Sequence, residues 1–510
     1  MTFFESLLVL LLVAIALLQV ARRLGLPYPS LLALAGATVA LVPGAPAIGL
    51  DPATALALFI APVLLDAAFD FPLATAGRLW RPLAVLAVVA VLATTAVVAV
   101  LGWALVGLPI AAAIALGAIV APPDAAAATA ITGTVPLPNR TVSVLKGESL
   151  LNDATALLLF SGALMVQTAD GSAGSVALRL AAAVPGGILL GLALAWLMRR
   201  INPLVAGTLG GNILQFVAAF VVWLAAEHLH LSAVLAVVAF AVSLAADRQI
   251  TSAPRARVQS FAVWAAVVFL LNVVAFLIMG MQARAILERL SAAEIGPALG
   301  FAGIVVVAVV LTRFGVVLAW NWAARRWSQV RGALEPPTPA QGVLVGWCGM
   351  RGLVSLAIAF ALPPEFPQRD LVTLTAFAVV IATLVVQGLT LAPLIRRLGL
   401  DRMEDPRAEL ATARQHLARA ALAALETMPA GDRLRASYEA KLAVDDPASA
   451  AWLEEQRRAG LAAIDAQRAA LDRLRADDRI GTDSFYLLQE ELDWRTLTLL
   501  PDEERRIEEA

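Results

Sequence analysis

The segment Gly346-Trp347-Cys348-Gly349-Met350-Arg351-Gly352 interrupts an apolar run at 340–362, and Ala121-Pro122-Pro123-Asp124 interrupts another at 109–135. Each break combines residues that disfavour helix with one charge set among apolar neighbours. Apolar runs between polar or Pro/Gly punctuation number about 13. They lie at 4–21, 30–44, 52–71, 82–107, 109–135, 141–167, 174–198, 203–226, 231–246, 258–281, 296–322, 340–362 and 371–395. With six spans in each half and one linking them, both breaks fall on the fifth span of their half. Paired interruptions at corresponding positions of two halves point to a midplane binding site between inverted repeats. Pro and Gly are common in membrane helices for blander reasons. A charge at each break favours the functional reading.

Composition excludes a soluble globular body. Of 510 residues, 60% are hydrophobic and 15% charged, whereas a soluble domain is about 45–50% apolar and about 25% charged. The first 400 residues carry 22 Lys+Arg and 15 Asp+Glu; the remainder carries 16 and 24. An apolar, net-positive membrane domain (1–400) thus precedes an acidic helical tail (401–510). The apolar runs are too long and unbroken for barrel strands, so the body is a helical bundle. The first run has no basic residue before it and Arg22-Arg23 after it, the reverse of a cleaved signal, and reads as a span. One cysteine, Cys348, excludes a disulfide framework and a cysteine-based metal site.

Positive charge alternates along the chain. Sixteen Lys and Arg follow odd-numbered spans and four follow even-numbered ones; Arg313 and Arg351 fall within spans. By the positive-inside rule the N-terminus lies outside and the tail in the cytoplasm. An error in the span count would scramble this alternation from that point onward. In the tail, Leu461, Ile464, Leu471 and Leu474 follow helical spacing, and Arg468 interrupts any coiled-coil seam.

Asp124, Glu148, Asp153 and Asp66 lie at membrane depth, where an ionisable group costs at least about 2.5–3.5 kcal/mol and marks function by default. Ser149 and Asp153 are four apart and share a helix face, as do Glu148 and Asn152 on the adjoining stripe. Hydroxyl and carboxylate oxygens suit a hard cation such as Na⁺. Asp124 stands beside backbone carbonyls freed by Pro122 and Pro123, which are further ligands. A buried carboxylate holds a proton or a cation on the same oxygens, and that competition suffices for exchange. Glu148 reads as a buried ion pair with Arg351, and Asn152 as an amide that holds the arrangement. Asp66 has an alternative as a snorkelling group beside Asp70. Glu227, His228 and His230 read as an outer loop, and Arg313 has no partner legible in the sequence.

Gly147-Glu148-Ser149-Leu150-Leu151-Asn152-Asp153 closely resembles the signature of the sodium/proton exchanger family of the cation:proton antiporter superfamily, in its bacterial NhaP-type branch. Trp347 through Leu356 resembles that family's arginine-bearing segment. Val386-Gln387-Gly388-Leu389-Thr390-Leu391, and Leu271-Asn272 with Gly280, are weaker matches. The likeness covers roughly residues 5–400. It implies a homodimer in the bacterial inner membrane, with an elevator-like ion-carrying core and no ATP or other cofactor. It also implies Asp153 as principal carrier of ion and proton. Asp124, Ser149 and Asp66 then contribute to the cation site, and Glu148 and Arg351 form a structural pair. Asn152 fits members that exchange one cation for one proton without net charge. Two departures bear on selectivity among Na⁺, Li⁺ and K⁺. The family's Thr-Asp-Pro is here Pro123-Asp124-Ala125, and Asp66 replaces a glutamate.

Other classes fit less well. An intramembrane aspartyl protease needs a Gly-x-Gly-Asp context, absent around Asp124 and Asp153. A channel would line one continuous pore with these acids, whereas broken helices in inverted halves favour alternating access. A nucleotide-driven pump needs a phosphate-binding loop that the tail lacks. Nothing points to nucleic acid; the expected partners are membrane lipid and a second copy of the chain.

Overall fold

A computed structural model of the chain describes residues 3–24, 27–40, 52–69, 71, 73–124, 137–167, 173–205, 208–251, 254–332, 334–400, 406–425, 432–443, 446–476 and 482–501. Asp70, Ala125 and the rest of the fifth apolar run lie outside them. The described residues form helices and no strands. Two compact units emerge, Met1–Glu404 and Asp405–Glu509.

In the first unit, α1 (Phe3–Leu24), α2 (Tyr28–Ala40) and α3 (Pro52–Phe69) precede α4 (Leu73–Ala84). A π-helical turn at Val85–Val89 leads from α4 into α5 (Ala90–Val106). Gly107, at φ 68°, ends α5 in the left-handed region, and its N–H bonds back to the Gly102 carbonyl. Next come α6 (Ile110–Val120), α7 (Asn139–Gln167), α8 (Ala173–Val205), α9 (Leu209–His228), α10 (Ala233–Thr251), α11 (Pro254–Leu287) and α12 (Ala292–Arg326). The short α13 (Ser328–Arg331) precedes α14 (Pro339–Trp347) and α15 (Leu353–Phe360). α16 (Arg369–Ala382) passes through a second π turn, Thr383–Gln387, into α17 (Gly388–Leu398).

Local chemistry sets the helix ends near the site. Thr338 caps α14: the Gln341 N–H donates to Thr338 Oγ1 at 3.1 Å, and the Thr338 N–H to Gln341 Oε1 at 2.9 Å. Pro339 starts that helix, where its missing N–H costs nothing. Among the described residues, six helices are long and apolar enough to cross a membrane by length and composition, and shorter apolar helices accompany them. α8 turns Leu178, Leu189 and Trp196 outward, a face suited to lipid rather than water.

Small residues bring helices together where lipid offers no hydrophobic drive. α2 crosses α11 at Gly36 and Gly280. A Cβ at Gly36 would run into the Leu277 carbonyl and the Gly280 Cα, so no larger residue permits this approach. Phe276, Leu32, Leu65, Leu116 and Leu344 are fully buried in the core of the unit.

The second unit contains α18 (Pro406–Leu425), α19 (Asp432–Leu442), α20 (Pro447–Ala476) and α21 (Thr482–Leu499). Asp446 caps α20, accepting from the Ser449 N–H at 3.0 Å and hydroxyl at 2.9 Å, which holds its carboxyl below the usual range. Ile464 and Leu471 of α20 bury against Leu492 of α21. Arg468 bonds Asp493 at 2.6 Å and Thr496 at 3.0 Å, so the residue that breaks the apolar stripe bridges the helix pair instead.

Candidate functional site

Two helix ends meet inside the first unit. α6 stops at Val120, and residues 121–124 continue without helix; α14 stops at Trp347, and helix resumes at Leu353. The Asp124 N–H donates to the Met350 carbonyl at 2.7 Å, joining the two interruptions by backbone. Gly352 lies directly against the Asp124 carboxylate, where a Cβ would collide with it.

A helix that ends inside an apolar body leaves carbonyls without partners. Here each of the two ends meets an arginine. Arg351 donates from Nε to the Val120 carbonyl at 3.0 Å and from Nη2 to that of Ala121 at 3.3 Å, at the end of α6. Its Nη1 donates to the Gly349 carbonyl, and its backbone N–H reaches Thr383 Oγ1 at 3.0 Å. Arg313, from α12, donates through Nη2 to the carbonyls of Val345 and Cys348 at 3.1 and 3.2 Å, at the end of α14. A cation at a helix C-terminus also complements the helix dipole.

The expected Glu148–Arg351 pair is corrected here. The partner of Glu148 is Arg313, in a bidentate pair at 2.5 and 3.0 Å, with both residues buried. The reason is donor accounting: the side-chain bonds of Arg351 go to three backbone carbonyls of the two breaks. Arg313 approaches from a separate helix and satisfies a carboxylate and two carbonyls at once. Both arginines are 2% exposed or less, so neither charge is left to solvent.

The other sequence-selected residues occupy α7 and its neighbours. Asn152 is fully buried, and its Nδ2 donates to the Pro123 carbonyl at 2.8 Å, tying α7 to the first break. Asp153, next along α7, is 7% exposed and within electrostatic reach of Asp124. Ser149, one turn earlier, is half-buried. Asp66 is half-buried on α3, a helix that packs on α7 and α15. Among the described residues no three of Asp, Glu, His and Cys converge to hold a metal ion, so Asp66 does not join Asp124 and Asp153 in a three-carboxylate cage.

Sequence reasoning passed over Thr383 and Gln387. Both sit in the second π turn, and π turns frequently mark functional positions. Thr383 receives the Arg351 N–H, and both amide atoms of buried Gln387 lack a hydrogen-bond partner among the described residues. The only prior signal was Gln387 within a weak motif match.

A buried and a half-buried carboxylate where two helix ends meet, in an apolar helical body, define a membrane ion transporter rather than an enzyme. Comparison with known proteins narrows the class. The family model for the transmembrane sodium/hydrogen exchanger matches residues 8–397, and the chain belongs to that family. An uncharacterised Na⁺/H⁺ exchanger of Mycobacterium tuberculosis is 31% identical over 97% of this chain and 96% of its own length. A sodium, potassium, lithium and rubidium/H⁺ antiporter of Bacillus pumilus is 28% identical over 91% of this chain and 73% of its own. The fold matches the sodium proton antiporter MjNhaP1 of Methanocaldococcus jannaschii with a TM-score of 0.59 at 18% identity, over 80% of this chain and all of that one.

Proposed function

We propose that this chain exchanges a monovalent cation for H⁺ by alternating access, with Asp153 as the shared carrier and Na⁺ as the first candidate cation. The carrying observation is that Asn152 and Pro123, the chain neighbours of Asp153 and Asp124, are hydrogen-bonded at 2.8 Å, which brings both aspartates to the place where the two breaks meet. Two like charges in a low-dielectric site repel, and either a proton or a cation relieves that repulsion on the same oxygens. Each ion therefore displaces the other, which is the elementary requirement for antiport.

Roles follow from position. Asp124 supplies the second carboxylate and Ser149 a hydroxyl on the same face as Asp153, while Asp66, on α3, acts on the cation from outside that pair. Asn152 holds the first break, and its amide adds no second titrating charge, which favours electroneutral exchange. Glu148, Arg313 and Arg351 are scaffolding. The chain carries about 13 spans, two of them discontinuous at 121–124 and 348–352, with the N-terminus outside and the tail in the cytoplasm of a bacterial cell. The domain boundary lies near residue 400, and the working unit in the inner membrane is a homodimer. Li⁺ and K⁺ are alternative cargoes, because Pro123 and Asp66 depart from the pattern of the family's cation site.

The test is transport by purified protein in proteoliposomes containing a pH-sensitive dye. An imposed Na⁺ gradient is expected to drive protons the opposite way, and Asp153→Asn to reduce this to the rate of empty vesicles. Full exchange by a folded Asp153→Asn protein defeats the reading. Replacing Na⁺ by Li⁺ or K⁺ across pH ranks the cargoes.

A further inference from the structure

A groove of about 940 Å³ opens between α12, α14 and α17, away from the carboxylate pair. Phe314, Val343, Trp347 and Leu394 make its apolar wall, and Arg396 and Arg397 stand at one end, in the last turn of α17. Its size lies in the range of ligand pockets. Both arginines are exposed, and neither has a hydrogen-bond or ion-pair partner among the described residues. The wall is also ordered: Trp347 Nε1 donates to Thr390 Oγ1 at 3.0 Å, and the Phe314 and Trp347 rings lie 6.0 Å apart.

We infer that this groove binds one anionic phospholipid, with an acyl chain along the Phe314–Trp347 wall and its phosphate on Arg396 and Arg397. The argument is charge complementarity at the right depth. The two arginines follow the last span, at the end that the alternation of basic residues assigns to the cytoplasm, where anionic headgroups concentrate. Basic pockets between membrane helices on that side suit such headgroups, and guanidinium forks suit phosphate oxygens. A free phosphate would use the arginines but leave the apolar wall uncovered, so a lipid fits the whole groove.

The site has a route to transport. Trp347 is the last residue of α14, and the break bearing Arg351 begins at the next residue. Its bond to Thr390 ties that broken helix to α17. A lipid against Trp347 therefore steadies the helix end whose carbonyls Arg313 holds.

The inference rests on the membrane reading above; lipid retention is measured without ion flux, so the two fail separately. Native mass spectrometry of the full chain in detergent would titrate phosphatidylglycerol, phosphatidylcholine and inorganic phosphate. The wild type is expected to retain phosphatidylglycerol in preference to phosphatidylcholine. Arg396→Gln with Arg397→Gln is expected to weaken that retention about twenty-five-fold, since each charge contributes about fivefold. Val343→Trp, which fills the wall without altering charge, is expected to lower retention of both lipids. Arg325→Gln with Arg326→Gln removes the same charge on that side outside the groove and should change nothing. Equal phosphatidylglycerol retention by the Arg396/Arg397 variant and the wild type overturns the site. Equal losses in the two arginine variants, or displacement of the lipid by inorganic phosphate, overturn it as well.

Discussion

The two helix ends that meet in the first unit use similar parts and carry opposite charges. Residues 121–124 bear Asp124, and residues 348–352 bear Arg351. At the second break the charge is committed to backbone: the Arg351 side chain donates to the carbonyls of Val120, Ala121 and Gly349. At the first break the charge has a neighbour of its own sign, Asp153, brought near by the bond of Asn152 to Pro123. A guanidinium bound to carbonyls is scaffold, because moving it exposes helix ends. Neighbouring carboxylates have a use for a mobile cation. We propose that the second break holds the structure while the first exchanges ions.

The comparison can be broken most severely through Arg313. Arg313→Ala removes one partner of a buried pair and strips two carbonyls at the end of α14, at a cost of about 3–5 kcal/mol. A large drop in thermal midpoint, followed by aggregation in detergent, is the expected outcome. Glu148→Gln combined with Arg313→Met should recover much of that loss, since no buried charge is then left alone. An Arg313→Ala protein as stable as wild type would remove the scaffold assignment.

Asn152→Ala attacks the first break by orphaning the Pro123 carbonyl, a loss of about 1–3 kcal/mol. A lower melting temperature and a raised KM for the cation are expected together. Gly352→Ala sharpens the contrast further, because its Cβ displaces the Asp124 carboxylate. A roughly tenfold rise in cation KM, equivalent to about 1.4 kcal/mol, should appear with little change in melting temperature. Equal effects on stability and KM would mean that Asp124 belongs to the scaffold. The smallest effect belongs to Thr383→Val, which removes the acceptor of the Arg351 N–H at about 0.5–1.5 kcal/mol. Its signature is a modest loss of thermal stability with cation selectivity unchanged.

Much of the fold was legible because it depends on local patterns. Apolar runs, Pro122-Pro123, and the glycines at 346, 349 and 352 act on their own backbone, so the helix ends at Val120 and Trp347 could be read in advance. The i, i+4 relations of Ser149 with Asp153 and of Glu148 with Asn152 are likewise geometric. Asn152 was expected to hold the arrangement, and its bond to Pro123 shows the atom that it holds. The π turns were not legible. Val85–Val89 and Thr383–Gln387 lie in runs whose composition suits an ordinary α-helix, and only the packing around them distinguishes the two.

Sequence by itself determined that this chain is a helical membrane body with charges beside helix-breaking residues and an acidic helical tail. Those properties follow from hydropathy, helix-breaking residues and spacing, all of which act over a few residues. Tertiary structure decided which arginine holds Glu148 and which closes the end of α6. Arg351 lies in a glycine-rich break and Arg313 in an unbroken apolar run, but neither setting names the partner of Glu148. The choice depends on which helix presents its guanidinium to Glu148 across 165 residues of chain. In a medium without water to satisfy stray donors and acceptors, that packing leaves each arginine only one set of partners.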